Sequence, residues 1–417
     1  MEVIATKTAQ RRAQVMGIVL LAFAAAIMLL FFPGTQAEQQ TTFTFNLTRV
    51  EGVMEIPDFV FPTQTGLILM AVLAAFVGAW QLAKGFKNAD LALGGVVLFF
   101  VLAFLTWAAR DKSMNLTGML QSSLLRAIPI LVAAMSGLLC ERSGIVNIGI
   151  EGMMLSGAFV SALVGSLAQN YWWGMLAAMV AGGVMGALLA VLASRYKVSQ
   201  VIAGTAINIL ATGLTSYFSS RYLQTNTALN SPPTFPAFPI PVLGKLPILG
   251  PAFFNHTLVI YMALLLMVGM HVMLYHTRWG LRTRAVGEHP RAADTLGIDV
   301  FKTRYINVIV GGMVAGFGGA YLVLSSVARF DELMTAGKGF IGLAAMVFGK
   351  WNPFGALGAS LIFGFADSLQ TKLAILRVPI PSQFLLMAPY LVTMIVLAGV
   401  VGRSIPPAAE GVPYEKE

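Results

Sequence analysis

"CERSGIVNIGIEGMMLSGAFVSALVG", residues 140–165, reads over most of its length as a membrane-spanning helix. Asn147 and Glu151 interrupt the apolar run, among Gly144, Gly149 and Gly152. A carboxylate at membrane depth costs several kcal/mol unless something compensates it. The glycines offer one way out, because they permit a break in the helix and a break frees backbone N–H groups.

The surrounding composition supports a membrane reading. Of 417 residues, 57% are hydrophobic and 11% charged, where a soluble chain carries roughly 25% charged. Mean hydropathy is +0.78, and apolar residues come in runs long enough to cross a bilayer as helices. The expected spans are about 15–32, 66–84, 91–109, 120–139, 145–168, 172–194, 200–218, 257–276, 305–328, 338–349, 354–372 and 383–402. The fold class expected is an all-α membrane protein, a polytopic bundle of about 10–12 transmembrane or re-entrant helices with an internal repeat. "TAGKGFIGLAAMVFGKW" is the short segment that a re-entrant helix would explain.

The net charge of +9 follows from where the bases fall. Arg11, Arg12, Lys84, Lys87, Arg142, Arg195, Lys197 and the run from Arg278 to Arg304 lie on one side if both termini are cytoplasmic. Nucleic acid is not an expected partner. Cys140 stands alone and can form no internal disulfide, and the four histidines lack metal-site spacing. The first span has a loose resemblance to a secretory leader, but its apolar core is long for one, so it is expected to be retained.

Two segments expected outside are long: 33–65, polar, and 223–255, whose seven prolines suit an extended cap. "AGGVMGALLA" and "GGMVAGFGGA" carry the GxxxG pairs Gly182/Gly186 and Gly312/Gly316, which predict close helix packing. Asn208, Asn307, Asp367 and Gln370 are further polar residues at depth, expected chiefly to join helices.

Catalytic motifs are missing. Gly244-Lys245, Gly337-Lys338 and Gly349-Lys350 are each followed by the wrong residue for a phosphate loop, and no metal or nucleophile motif occurs. The chain is expected to be no enzyme and to hold no cofactor or metal. The loop "TRWGLRTRAVGEHPRAADTLGIDVFKTR", residues 277–304, instead contains a small punctuated helix. Pro290 suits its first position and Gly297 its left-handed stop. Two turns are marginal alone in water, so something must pack against them.

"ERSGIVNIGIEGMMLSGAF", "GLRTRAVGEHPRAADTLGI" and "GLAAMVFGKWNPFGALGASLIFG" resemble, in order, the permease subunits of bacterial ABC importers. The nearest branch is the nucleoside and simple-sugar permeases, relatives of the branched-chain amino acid and ribose permeases. The resemblance implies an N-terminal extension over 1–112 with about three spans and an outside loop, a permease domain over 113–402 and a cytoplasmic tail over 403–417. By it, Gly287, Glu288, Pro290, Arg291, Ala292, Ala293 and Gly297 match the cytoplasmic coupling loop. His289 departs from the family's asparagine but is expected to cap weakly. The partners implied are a cytoplasmic ATP-binding subunit, a second and different permease chain, an extracytoplasmic substrate-binding protein and membrane lipid. The place implied is the bacterial cytoplasmic (inner) membrane, with multiple passes.

For the substrate path the expected residues are Asn147, Glu151 and Asn208. Three readings of Glu151 stay open. It lines the path with Asn147 one turn earlier on the same helical face, it caps a broken helix, or it pairs with a cation such as Arg126. The rival to the whole reading is an ion-coupled secondary transporter using Glu151 and Asp367.

Overall fold

The computed structural model describes residues 2–47, 55–378, 384, 387 and 404–416. They form two compact units. The first comprises residues 1–118 with 245–248 and 371–385. Its helices are α1 (Glu2–Ala26), α2 (Thr63–Ala83) and α3 (Ala89–Ala108). Leu20, Ile27, Leu67, Ala74 and Val96 are fully buried between them.

A small sheet, not anticipated from the sequence, accompanies these helices. Its strands are β1 (Gln40–Thr44), β2 (Phe59–Pro62) and β3 (Lys112–Asn115). β1 lies in the middle, antiparallel to β2 and parallel to β3. The buried Thr41 hydroxyl donates to the Thr106 carbonyl at 3.1 Å and shares a 2.9 Å bond with the Thr63 hydroxyl. Strands of four or five residues leave almost no periodic signal.

The second unit holds α4 (Leu116–Glu141), which starts at the boundary, then α5 (Ile150–Ala168), α6 (Tyr171–Ser194) and α7 (Gln200–Phe218). The proline-rich segment contains β4 (Ala237–Pro239) and ends on β5 (Asn255–Thr257), an antiparallel pair. Then follow α8 (Leu258–His276), α9 (Arg278–Glu288), α10 (Pro290–Thr295), α11 (Val300–Tyr321), α12 (Lys338–Phe348) and α13 (Pro353–Ile375). The proline-rich segment is therefore more structured than a plain extended cap. It includes a short 3₁₀ turn at Thr227–Asn230, and Phe235 packs at a tilt against Tyr171 with centroids 4.2 Å apart.

The two GxxxG pairs face each other. A Cβ on Gly182 would collide with the Gly312 carbonyl, and one on Gly316 with the Ala178 carbonyl. α6 and α11 thus meet backbone to backbone, as small residues allow in a membrane.

Among the described residues nine helices, α1–α8 and α11, are long and apolar enough to cross a membrane. α12 has 11 residues, about 16 Å at 1.5 Å per residue, and is too short to cross. α13 has the length but contains Asp367, Gln370 and Lys372 and is not among the nine. The expected span 383–402 lies outside the described residues apart from 384 and 387.

Two expectations need correction. The helix expected from 145 starts at Ile150, because residues 142–149 are turns and irregular backbone with Gly144 at φ +89°. Arg304, expected in a loop, is a buried residue in the second turn of α11.

Candidate functional site

The segment between α8 and α11 folds into two helices, not one. Thr277 starts α9 by accepting a 3.2 Å bond from the Gly280 N–H, the usual duty of a hydroxyl residue at that position. Gly280, Thr283, Val286 and Gly287 form its buried side. That spacing, with Thr277 ahead of it, is a helix signal the sequence reading passed over. His289 then turns extended, at φ −142° and ψ 82°, as a residue before proline prefers. Pro290 opens α10 at its first position, and Gly297 leaves it at φ +81°. His289 makes no side-chain cap, contrary to expectation. Asp299 opens α11 by accepting from the Lys302 N–H at 2.9 Å.

The residues expected to form the coupling loop divide between surface and interior. Glu288, Arg291, Ala292 and Gly297 are exposed and Pro290 is half-exposed. Ala293 is buried with Val286, Val300 and Tyr414. Its small size therefore fits this chain's own packing and not close approach to a partner. Gly287 is buried too, where a side chain would strike the Arg142 carbonyl. Asn307 ties the segment to the membrane helix below. It donates to the Thr283 hydroxyl and accepts from the Trp279 indole, both at 3.1 Å.

Tail residues 404–416 lie against this segment. The Ala409 N–H donates to the Gly287 carbonyl at 2.9 Å, and the Ala408 N–H to the Glu288 carboxylate at 3.2 Å. The Gly411 N–H donates to the Gly144 carbonyl at 3.1 Å. Buried Arg304 donates to the Val412 carbonyl at 3.1 Å. Tyr414 packs on Phe301 with centroids 5.4 Å apart. Loop and tail are thus on one side of the unit.

Glu151 lies in the first turn of α5 and serves a different helix. Its two oxygens accept from the Gly337 N–H at 2.8 Å and the Gly339 N–H at 2.6 Å, at the start of α12. α12 has no side-chain cap of its own. A Cβ at Gly339 would lie 2.7 Å from the Glu151 Cα, so glycine is needed for the approach. The carboxylate thus meets two helix starts at once, its own and that of α12, where the dipoles favour an anion.

The shared helical face with Asn147 and the pairing with Arg126 are corrected. Asn147 precedes α5 and shares no helical face with Glu151. Arg126 pairs with Asp367 at 2.7 Å and not with Glu151. Asn208 is engaged on both sides, and Asn147 is buried with its amide oxygen unpartnered. Asn208 on α7 accepts from the Gly152 N–H at 2.8 Å and donates to the Ile148 carbonyl at 2.9 Å. It brackets the irregular entry into α5. Asn147 is fully buried, with its amide 3.4 Å from the Cys140 sulfur and 3.6 Å from that of Met153.

Sequence reading missed Glu141. It is buried at the end of α4 and accepts from the Trp351 indole at 2.7 Å. Both residues stand in the motifs quoted above, but only the fold brings them together.

Comparison with known proteins places this arrangement. The guanosine ABC transporter permease NupQ of Bacillus subtilis is 41% identical over 307 residues, 71% of this chain and 95% of the relative. The nucleoside ABC transporter permease NupC of Lactococcus lactis is 37% identical over 73% of this chain and 99% of its own length. A putative glucose ABC transporter permease, TsgC13 of Haloferax volcanii, is 38% identical over 61% of this chain and 77% of the relative. No solved structure matches. Residues 119–402, which carry the loop, the Glu151 cap and the glycine seam, match the family of branched-chain amino acid transport system permease components, and the chain belongs to that family.

Proposed function

We propose that this chain is the membrane-spanning permease subunit of an ATP-driven importer that moves nucleosides, or a related sugar-containing solute, by alternating access. The observation that carries the reading is the α9–α10 segment. It is an exposed, punctuated pair of short helices, tied through Asn307 to α11. Force applied there reaches a membrane helix through packed contacts. The relatives' names supply the solute class. ATP hydrolysis is assigned to a separate cytoplasmic subunit. A second permease chain and an extracytoplasmic binding protein complete the assembly, in the cytoplasmic membrane of a bacterium.

The partners of two carboxylates weigh against ion coupling. Glu151 is engaged by two N–H groups and Asp367 by Arg126. The test is reconstitution in proteoliposomes with the co-purified ATP-binding subunit and the binding protein. Labelled guanosine should enter only with ATP and all partners. Uptake by the chain alone, driven by a proton or Na⁺ gradient, would overturn the proposal.

A further inference from the structure

A cleft of about 710 Å³ opens between residues 288–292 and residues 408–415. One wall is the coupling segment and the other is the tail. We propose that the tail is a second wall of the docking site for the ATP-binding subunit, so that the partner grips α10 and the tail together. The inference rests on reading residues 287–297 as the coupling segment and adds to it a surface outside the family match, which ends at residue 402.

Three observations carry it. First, α10 has six residues and cannot hold its own pose in water. The tail braces it, through Tyr414 in one buried cluster with Ala293 and through the Lys416–Asp294 pair, while the Ala409 bond to Gly287 fixes the end of α9 just ahead of it. Second, the tail is fixed without covering the cleft. Its contacts with the rest of the unit run through the Ser404 hydroxyl on the Val347 carbonyl, backbone groups of residues 408–412, the Glu410 carboxyl beside Glu141, the Tyr414 ring and the flanking pairs Glu415–Lys197 and Lys416–Asp294. The Val412 side chain is 53% exposed and Leu296, just after α10, is 82% exposed. Third, the cleft carries charge of both signs at its edge, with Arg291 beside Glu288 and Glu415, and exposed Arg278, Arg282 and Lys302 stand in the neighbouring helices α9 and α11. A partner with an apolar centre and a charged rim fits, as in interfaces with a buried core and polar edge.

The test uses the full-length chain in its own membranes, with a photo-crosslinking phenylalanine placed at Val412, at Ala292 or at the control Val310. Crosslinked proteins are identified by mass spectrometry. The expected result is that Val412 and Ala292 both capture one protein carrying a phosphate-binding loop, and that Val310 does not. In parallel, Val412→Glu should lower recovery of that protein by on the order of tenfold. Val412 has its backbone in the tail contacts and its side chain outside them, so this variant should leave folding unchanged. Capture from Ala292 but not Val412, with Val412→Glu normal, overturns the tail proposal and leaves the coupling reading standing. Capture of any other protein at Val412 also overturns it. Capture from neither position overturns both.

Discussion

α10 and α12 are both too short to stand alone, and the chain stabilises them in opposite ways. α12 is held by a carboxylate from α5 that receives two N–H groups inside the membrane unit. α10 is held at the surface, by one buried ring and an exposed ion pair from the tail, whose backbone bonds go to the end of α9 beside it. Charge-assisted bonds contribute about 1.5–3 kcal/mol each, and ordinary ones about 0.5–1.5 kcal/mol. The first arrangement fixes a helix, whereas the second leaves one that a partner can shift.

The largest effect should come from breaking the α12 cap. Glu151→Ala removes both acceptors and should cost about 3 kcal/mol or more, read as a lowered unfolding temperature in detergent. Glu151→Gln keeps one acceptor oxygen and should recover part of the loss. If the alanine variant unfolds like wild type, α12 does not depend on Glu151. Gly339→Ala attacks the same joint from the other side. It forces a Cβ toward the Glu151 backbone and should cost about 1–3 kcal/mol, and in the double variant the losses should not add.

At α10 the effects should be smaller and local. Tyr414→Ala should leave the membrane helices intact but raise hydrogen exchange at Ala293 and Asp294 by about tenfold. Unchanged exchange would show that α10 is ordered without the tail.

Tail docking should also respond to pH. Burial raises the Glu410 carboxyl above the ordinary carboxylate range, opposed in part by a hydrogen bond with Glu141. The docked tail therefore holds its proton more tightly than a released one. Docking is favoured below the ordinary carboxylate pKa of about 4.3 and weakens as pH rises through the raised value. A fluorophore at Val412→Cys in a Cys140→Ala background should report tighter docking at lower pH. Glu410→Gln should remove most of that dependence. The smallest effect belongs to Lys416→Ala, which breaks an exposed pair with Asp294 worth under about 1 kcal/mol. A large loss there would mean the tail is held by charge and not by packing.

These two regions also mark what the sequence disclosed. Pro290 and Gly297 bound α10 because their backbone constraints are local and visible in one dimension. The GxxxG pairs were equally plain, since small residues at that spacing have one main use. The α12 cap was half legible. Glu151 among glycines signalled a helix start, but its partners lie 186 and 188 residues away and no spacing names them. Asn147 was misplaced for a related reason. The apolar pattern of 145–168 resumes on both sides of Asn147 and so does not mark where the helix starts, while the backbone turns until Gly149 because Gln200 and Asn208 of α7 bind its N–H and C=O groups. The tail carried no periodic signal at all, and its contacts are mostly backbone atoms, which every sequence has.

The Tyr414 ring against Ala293 has a consequence for biosynthesis. Chains emerge from the ribosome N-terminal end first. α10 is made well before residues 404–416, and between the two come α11, α12 and α13. Until the tail arrives, Ala293 lacks its cover and buried Arg304 lacks the Val412 carbonyl. The docking face is therefore completed only after those later helices have been made, and a nascent chain stalled in the membrane presents no finished surface to an ATPase.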